Sequence, residues 1–155
     1  MPITHRSGDP LLTSAQTLAF AYNARAQSEL GTLQTHLMNA HPPAFATYRK
    51  RAHAGKISGG DIWVWQQSRP MLCFVVVRDA PVGALRLRFL QSAMMHLARN
   101  YLLEGIRSIA IAPMGTATEW AESLPIIDTW LARSKLPVVV YDEVVQGVQA
   151  DEGLG

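Results

Sequence analysis

The side chains that most often carry catalysis or bind metals are few in this sequence and lie far apart. The histidines stand at positions 5, 36, 41, 53 and 96, and no cysteine pair accompanies them as in a zinc-finger site. Cys73 is the single cysteine, lies inside an apolar run and is expected to behave as a small buried hydrophobe. The chain has no Gly-x-Ser-x-Gly elbow, no Walker A loop and no Gly-x-Gly-x-x-Gly turn. We therefore predict no metal site. A Ser-His-Asp triad is not indicated, and the usual sequence motifs for nucleotide binding are absent.

Polar and glycine residues next to apolar segments form a more informative pattern. Gly8-Asp9 precedes a segment that ends at Asn23, and the apolar stretch 106–112 is followed by Pro113-Met-Gly115. In an open α/β sheet, ligands bind in loops that leave the carboxyl ends of buried strands. The pattern predicts where a site lies but not what chemistry it performs.

Apolar spacing predicts that strands alternate with helices along the chain. The predicted strands are 2–7, 17–23, 61–67, 71–78, 106–112 and 137–141. The predicted helices are 30–41, 43–55, 85–104 and about 119–134, the last with an alternative start near Leu124 because Pro125 disfavours a helix interior. Such alternation is typical of an α/β fold with a mixed, mostly parallel sheet and helices on both faces. We expect one domain over residues 1–145 and a polar, flexible tail over 146–155.

Composition restricts the class of protein further. The chain has 155 residues, 48% of them hydrophobic, with 17% charged residues and a net charge of +2. This charge is too small for a dedicated nucleic-acid-binding protein, which normally carries a basic stripe. No apolar run approaches the roughly 20 residues that cross a bilayer, and no signal-peptide core is present. We expect a soluble, cytoplasmic protein that does not engage membranes.

Several segments together match a known family pattern. They are Gly8-Asp9, Asn23, Phe45-Ala-Thr-Tyr48, Ala54-Gly55 and Glu104-Gly-Ile-Arg-Ser-Ile-Ala-Ile-Ala-Pro-Met-Gly115. On these residues, about 1–143 of the chain resembles a macro domain, the ADP-ribose-binding fold. The similarity is greatest to the DNA ADP-ribosyl glycohydrolase antitoxins, and the stretch 105–115 is its most specific part. The resemblance implies a single three-layer α/β/α macro-like domain whose ligand is ADP-ribose or a related nucleotide.

The resemblance also implies a role for individual residues. Asp9 would accept hydrogen bonds from the adenine amino group, and Asn23 would lie near the distal ribose. The loop Gly115-Thr116-Ala117-Thr118 would wrap the diphosphate. These roles are chemically reasonable, because a carboxylate accepts from an amine and loop N–H groups beside a helix N-terminus suit phosphate. Ordinary structural roles stay open: Asp9 as a turn residue, Asn23 as a cap for the next segment, and the threonines as helix caps.

The chain departs from the family pattern at the positions that matter for catalysis. Phe20 replaces the first asparagine of the family's pair, and Leu30 stands where the antitoxin branch has a catalytic lysine. Neighbouring Glu29 is expected to repel phosphates. The late glycine-rich loop is shortened to Gly115-Thr-Ala-Thr-Glu119, which removes residues that let a backbone approach a diphosphate closely. We therefore predict no catalytic residues, no cofactor and a non-catalytic binding module with a remodelled cleft.

Two other functions remain open. The domain could be a structural or protein-interaction module with a vestigial cleft, in which case its protein partner is unknown. It could also be an ADP-ribosyl glycohydrolase that acts on modified DNA or protein, although the replaced residues favour a non-enzyme. Nucleic acid is expected as a partner only if it is an ADP-ribosylated substrate.

Overall fold

The computed structural model of the protein describes residues 3–154. The strands are β1 (Ile3–Gly8), β2 (Thr17–Asn23), β3 (Ile62–Trp65), β4 (Met71–Arg78), β5 (Ile109–Ile111) and β6 (Val138–Val144). The helices are α1 (Thr32–Ala40), α2 (Pro42–His53), α3 (Leu87–Asn100) and α4 (Ala117–Leu131). A short 3-10 turn, Pro10–Leu12, lies between β1 and β2.

The strands form one mixed sheet in the order β1-β6-β5-β2-β4-β3. Neighbours are parallel except for β3, which pairs antiparallel with β4 in a hairpin. The predicted strand 2–7 is an edge strand as expected, and its first residue, Pro2, lies outside the described residues. The predicted α/β class with a mixed, mostly parallel sheet is confirmed.

Side-chain alternation along β2 separates two hydrophobic cores. Leu18, Phe20 and Tyr22 belong to the core beneath α1 and α2, whereas Ala19 and Ala21 belong to the core beneath α3 and α4. Every residue of β2 is buried, as expected for a strand covered on both faces. The three-layer α/β/α arrangement follows from this two-sided burial.

Helix α4 begins earlier than either predicted start and contains Pro125 in its interior. The helix begins at Ala117 because Thr116 and Glu119 form a reciprocal capping box. Pro125 cannot donate to the carbonyl of Ala121, but Ala121 is exposed and water can satisfy that carbonyl. Helix α3 is shorter than the predicted 85–104 at both ends, since it spans Leu87–Asn100. Turns follow it up to Gly105, whose φ is +78°.

The segment after β6 also differs from the expected flexible tail. Residues 145–154 fold back on the domain, and the Glu152 carboxylate, which is buried, accepts hydrogen bonds from Thr13 and Ser14. Side chains of Ala150 and Leu154 pack against the core beneath α1 and α2. The polar composition of this segment reflects a buried hydrogen-bond network, which the sequence does not distinguish from a solvated tail.

Cys73 lies in the middle of β4 and is fully buried. Burial raises the pKa of its thiol, so the thiol stays protonated near neutral pH. Among residues 3–154, every helix is too short or too polar to span a lipid bilayer.

One ionisable contact makes fold stability depend on pH. His5 of β1 contacts Asp142 of β6 through Nδ1 (2.8 Å) and Asp128 of α4 through Nε2 (2.9 Å). Burial opposes charge on the ring, but the hydrogen bond to Asp142 and the two carboxylates raise its pKa above 6.5. The charged ring therefore stabilises the fold fully below pH 6.5, and this contribution is lost as pH rises through the folded-state pKa.

We predict that His5→Gln lowers the free energy of unfolding more at about pH 6 than at about pH 9. Urea unfolding of both proteins at several pH values measures the difference. A wild-type advantage that stays constant over this range would show that the His5 charge does not contribute.

Candidate functional site

The carboxyl ends of all strands except β3 meet at one edge of the sheet. Two adjoining cavities open there, and Gln34 of α1 lines both. The first, which we call the Asp9 pocket, has a volume of about 450 Å³ and is lined by Asp9, Pro10, Leu11, Leu33, Val144 and Gln146, among others. The second, the Arg78 pocket, has a volume of about 410 Å³ and is lined by Glu29, Leu30, Arg78, Gly115, Thr116 and Glu119, among others.

A larger cavity of about 640 Å³ lies at the opposite edge, near the amino ends of β2 and β4. Its lining includes Ser14, Gln66, Arg69, Arg107 and Ser108. Both arginines are exposed, and the strand-end loops that could hold a ligand in an α/β sheet lie at the other edge. We therefore assign the candidate site to the two cavities at the carboxyl edge, despite their smaller volumes.

Asp9 is buried and holds the turn at the entrance to the Asp9 pocket. One carboxylate oxygen accepts from the backbone N–H of Leu11 (3.0 Å), and the other accepts from that of Gly147 (3.0 Å). Asp9 thus has the turn-capping role that the sequence left open. Because each carboxylate oxygen has two lone pairs, each can still accept a further hydrogen bond. The aliphatic walls beside it give the pocket an apolar body with an acidic edge.

Asn23 is also fully buried, but its side chain is directed into the loop that follows β2. Its Nδ2 donates to the Gln27 carbonyl (2.8 Å) and to Glu29 (2.9 Å), while its Oδ1 accepts from the Gln27 N–H (3.1 Å). Asn23 does not line either cavity. Asn23 acts as a local cap for the loop after β2, and its hydrogen bond to Glu29 connects it to the lining of the Arg78 pocket.

The floor of the Arg78 pocket is a buried ion pair. Arg78 Nη1 lies 2.7 Å from Glu29 Oε1, and the side chains are 12% and 5% exposed, respectively. Burial raises the pKa of the Glu29 carboxyl, while the Asn23 hydrogen bond and the Arg78 charge oppose that rise. The expected repulsion of phosphates by Glu29 is thus offset by a guanidinium that our sequence reasoning missed. Its position as the last residue of an apolar strand is the signal that could have identified it.

Gly115 and Thr116 line the Arg78 pocket just before the N-terminus of α4, whereas Ala117 and Thr118 begin the helix and line neither cavity. Gly115 adopts a φ of +74°, and an added Cβ would lie 2.4 Å from Glu119 Oε1. Thr116 and Glu119 use each other's N–H groups in the capping box. The N–H groups of Ala117 and Thr118 occupy the first helical positions, where no acceptor exists within a helix. These two exposed donors suit an anion.

Glu119 brings a negative charge to the same loop. Its two oxygens accept from the N–H groups of Thr116 (2.9 Å) and Leu85 (2.8 Å). The Thr116 backbone bond is the main cause of a lowered pKa for this carboxyl, so Glu119 is charged near neutral pH. It joins the start of α4 to the loop before α3 and takes donors that a phosphate could otherwise use.

Leu30, which the resemblance aligns with a catalytic lysine of the antitoxin branch, lies at the rim of the Arg78 pocket and is 97% exposed. Among residues 3–154, no group of three or more His, Cys, Asp and Glu side chains is arranged to hold a metal ion. The geometry of the cleft therefore offers hydrogen-bond acceptors, one paired guanidinium and two free helix donors.

Comparison with known proteins gives a result only at the level of structure. No protein-family model matches the chain, and no curated protein matches it by sequence. The macrodomain of Thermus aquaticus DarG has 19% identity and a TM-score of 0.77, with coverage of 93% of this chain and 99% of that chain. The macrodomain of Mycobacterium tuberculosis DarG has 19% identity and a TM-score of 0.75, with coverage of 90% and 96%.

The chain has the macrodomain fold.

A further similar structure is that of Thermosipho africanus DarTG in complex with ADP-ribose. Its identity is 16% and its TM-score 0.74, and the match covers 87% of this chain but 39% of that chain. At these identities the similarity establishes the macrodomain fold and leaves the ligand of this chain to be argued from its own residues.

We predict that Arg78→Met destabilises the domain by roughly 3 kcal/mol, because it leaves Glu29 buried without its cation. Chemical denaturation near neutral pH measures this loss. The control is Arg86→Met, which breaks a half-exposed ion pair with Asp79 and should cost less than about 1 kcal/mol. Equal losses in the two variants would mean that the Glu29–Arg78 pair is no more important than a surface pair.

Proposed function

We propose that this macrodomain is a non-catalytic binding module for ADP-ribose or a related nucleotide in a remodelled cleft. The observation that carries the proposal is the adjacency of the two cavities, which share Gln34 and place unlike chemistry side by side. The Asp9 pocket offers a carboxylate with aliphatic walls, and the Arg78 pocket offers a guanidinium, paired with Glu29, beside the N-terminus of α4. An adenine nucleotide has the matching order of groups.

The adenine moiety would enter the Asp9 pocket. Leu11, Leu33 and Val144 provide an apolar surface for a base, and Asp9 provides an acceptor for an exocyclic amino group. Binding would not displace an existing partner of Asp9, because each oxygen keeps one lone pair. This geometry supports the adenine role assigned to Asp9 by resemblance.

The phosphates would lie over the Arg78 pocket, near the N–H groups of Ala117 and Thr118. The positive end of the α4 dipole and the guanidinium of Arg78 favour an anion there. Glu119 acts against it, and the short loop supplies fewer backbone donors than a glycine-rich loop. We therefore expect most of the affinity to come from the nucleoside part of the ligand.

The absence of catalysis is inferred from how the cleft's polar groups are used. Leu30 provides no proton-transfer group, while Asn23 and Glu29 are held in internal hydrogen bonds. Both oxygens of Glu119 hold backbone N–H groups. We also propose a cytoplasmic location.

A protein-interaction domain is the second candidate, and one observation favours it. Leu30 and Val82 are nearly fully exposed on loops that flank Arg78. Exposed aliphatic side chains at a cleft rim are suited to contact with a protein surface. In that case the cleft itself would be vestigial.

Calorimetric titration with ADP-ribose, AMP and IMP tests the proposal. IMP has a carbonyl oxygen where AMP has the amino group, so it would place an acceptor against the Asp9 carboxylate. We predict that AMP binds at least about tenfold more tightly than IMP, because the mismatch leaves a buried polar group unpaired. Equal affinities would exclude the adenine contact at Asp9.

The matched variant is Asp9→Asn, which replaces one acceptor oxygen by an N–H donor and should reduce the AMP preference. Absence of heat with all three nucleotides at millimolar concentration would favour the interaction domain. Release of ADP-ribose from modified DNA or protein would contradict the non-catalytic assignment and establish the glycohydrolase alternative.

A further inference from the structure

The segment after β6, residues 145–154, crosses the turn that contains Asp9, and we call it the strap. Three hydrogen bonds join the two segments: Val145 N–H to the Gly8 carbonyl (2.9 Å), Asp9 N–H to the Val148 carbonyl (2.7 Å), and Gly147 N–H to the Asp9 carboxylate (3.0 Å). The last of these is made to the Asp9 carboxylate, the group that would accept the hydrogen bond from the adenine amino group. The strap also contributes Gln146 to the wall of the Asp9 pocket.

Close contact between the strap and β1 depends on Gly8. A Cβ added at this position would lie 2.9 Å from the Val148 carbonyl oxygen and 3.0 Å from the Ala150 Cβ. A side chain at position 8 would therefore force the backbone of the strap to move away from β1. The Gly-Asp pair therefore has two linked uses here: Gly8 admits the strap, and Asp9 receives its hydrogen bond.

The far end of the strap is fixed by Glu152, which is 6% exposed. Its carboxylate accepts from Thr13 Oγ1 (2.6 Å), from the Ser14 N–H (2.8 Å), from Ser14 Oγ (2.8 Å) and from the Tyr141 hydroxyl. Hydrogen bonds to a charged acceptor are stronger than neutral ones. Arg6 adds a bond from Nε to the Asp151 carbonyl (2.6 Å). Arg6 precedes the Asp9 turn in the chain, and Thr13 and Ser14 follow it. The strap is therefore attached on both sides of that turn.

We propose that Glu152 is a positioning residue for the Asp9 pocket: it holds the strap so that the Gly147 N–H fixes the Asp9 carboxylate for recognition of an amino group. This inference rests on the proposed function. With Leu11 alone, the carboxylate would be held at one oxygen and could rotate. With Gly147 as well, both oxygens are oriented, and their free lone pairs point in defined directions.

The test compares Glu152→Ala with Asp151→Asn in the full chain. Asp151 is the neighbouring carboxylate and is exposed. It contacts Arg6 through its backbone carbonyl, which the variant keeps. We expect Glu152→Ala to lower the ratio of AMP affinity to IMP affinity at least fivefold, while Asp151→Asn leaves that ratio unchanged. Glu152→Gln should give an intermediate ratio, because hydroxyl partners can reverse their hydrogen bonds.

Hydrogen exchange of the Gly147 amide, measured by NMR without ligand, separates the two levels of the proposal. Exchange should accelerate about tenfold or more in Glu152→Ala, with amides of β2 and β5 unchanged as a control for global unfolding. Equal Gly147 exchange in Glu152→Ala and Asp151→Asn would overturn the positioning role. Faster exchange with an unchanged AMP-to-IMP ratio would also overturn it, because the strap would then not act on recognition. If the wild type binds no nucleotide while exchange responds as expected, the proposed function fails and the hold of Glu152 on the Asp9 turn stands.

Discussion

Burial of the central sheet on both faces is the constraint on which the remaining structure depends. Strands such as β2 and β4 have no polar face, so hydrogen-bonding side chains can collect only where the strands end. Because all strands except β3 run parallel, their carboxyl ends meet at one edge. Asp9, Arg78 and the Gly115 loop, which are distant in sequence, come together there for that reason.

The polar groups at this edge are largely satisfied by one another. Asp9 holds two backbone N–H groups, Asn23 holds its own loop, and Glu119 links two loops. Such satisfaction stabilises the fold, since a buried polar group without a partner costs free energy. It also limits what a ligand can gain. A nucleotide would add hydrogen bonds to Asp9 and to the free donors of α4, but it would have to share the Arg78 pocket with two carboxylates.

Features that depend on local sequence could be predicted. The alternation of large and small residues in β2, the turn at Gly8-Asp9, and the strand before Pro113 all follow from neighbours within a few positions. The predicted start of α4 near residue 119, and the alternative near Leu124 that Pro125 suggested, both lie after the observed start at Ala117. The capping box of Thr116 with Glu119 fixes that start, and Trp120 and Ile127 are buried in the longer helix. Local patterns therefore determine the elements better than their ends.

The polar contacts of the candidate site could not be predicted for a different reason. Asp9 contacts Gly147, and Glu152 contacts Thr13 and Ser14, across more than a hundred positions. Nothing near either residue in the sequence indicates these distant partners. The pairing of Arg78 with Glu29 depends on the path of the loop after β2, and so does the inward direction of Asn23. The resemblance indicated which positions to examine, but the hydrogen bonds of this chain decide what each one does.

The most direct test of the cleft assignment is an NMR titration of labelled protein with ADP-ribose. The account predicts that the amide signals that shift most belong to Leu11, Gly147, Ala117 and Thr118, at the carboxyl edge of the sheet. Shifts confined to Ser14, Arg107 and Ser108 would place the ligand in the cavity at the opposite edge and contradict the assignment. An unchanged spectrum at millimolar ADP-ribose would contradict binding altogether.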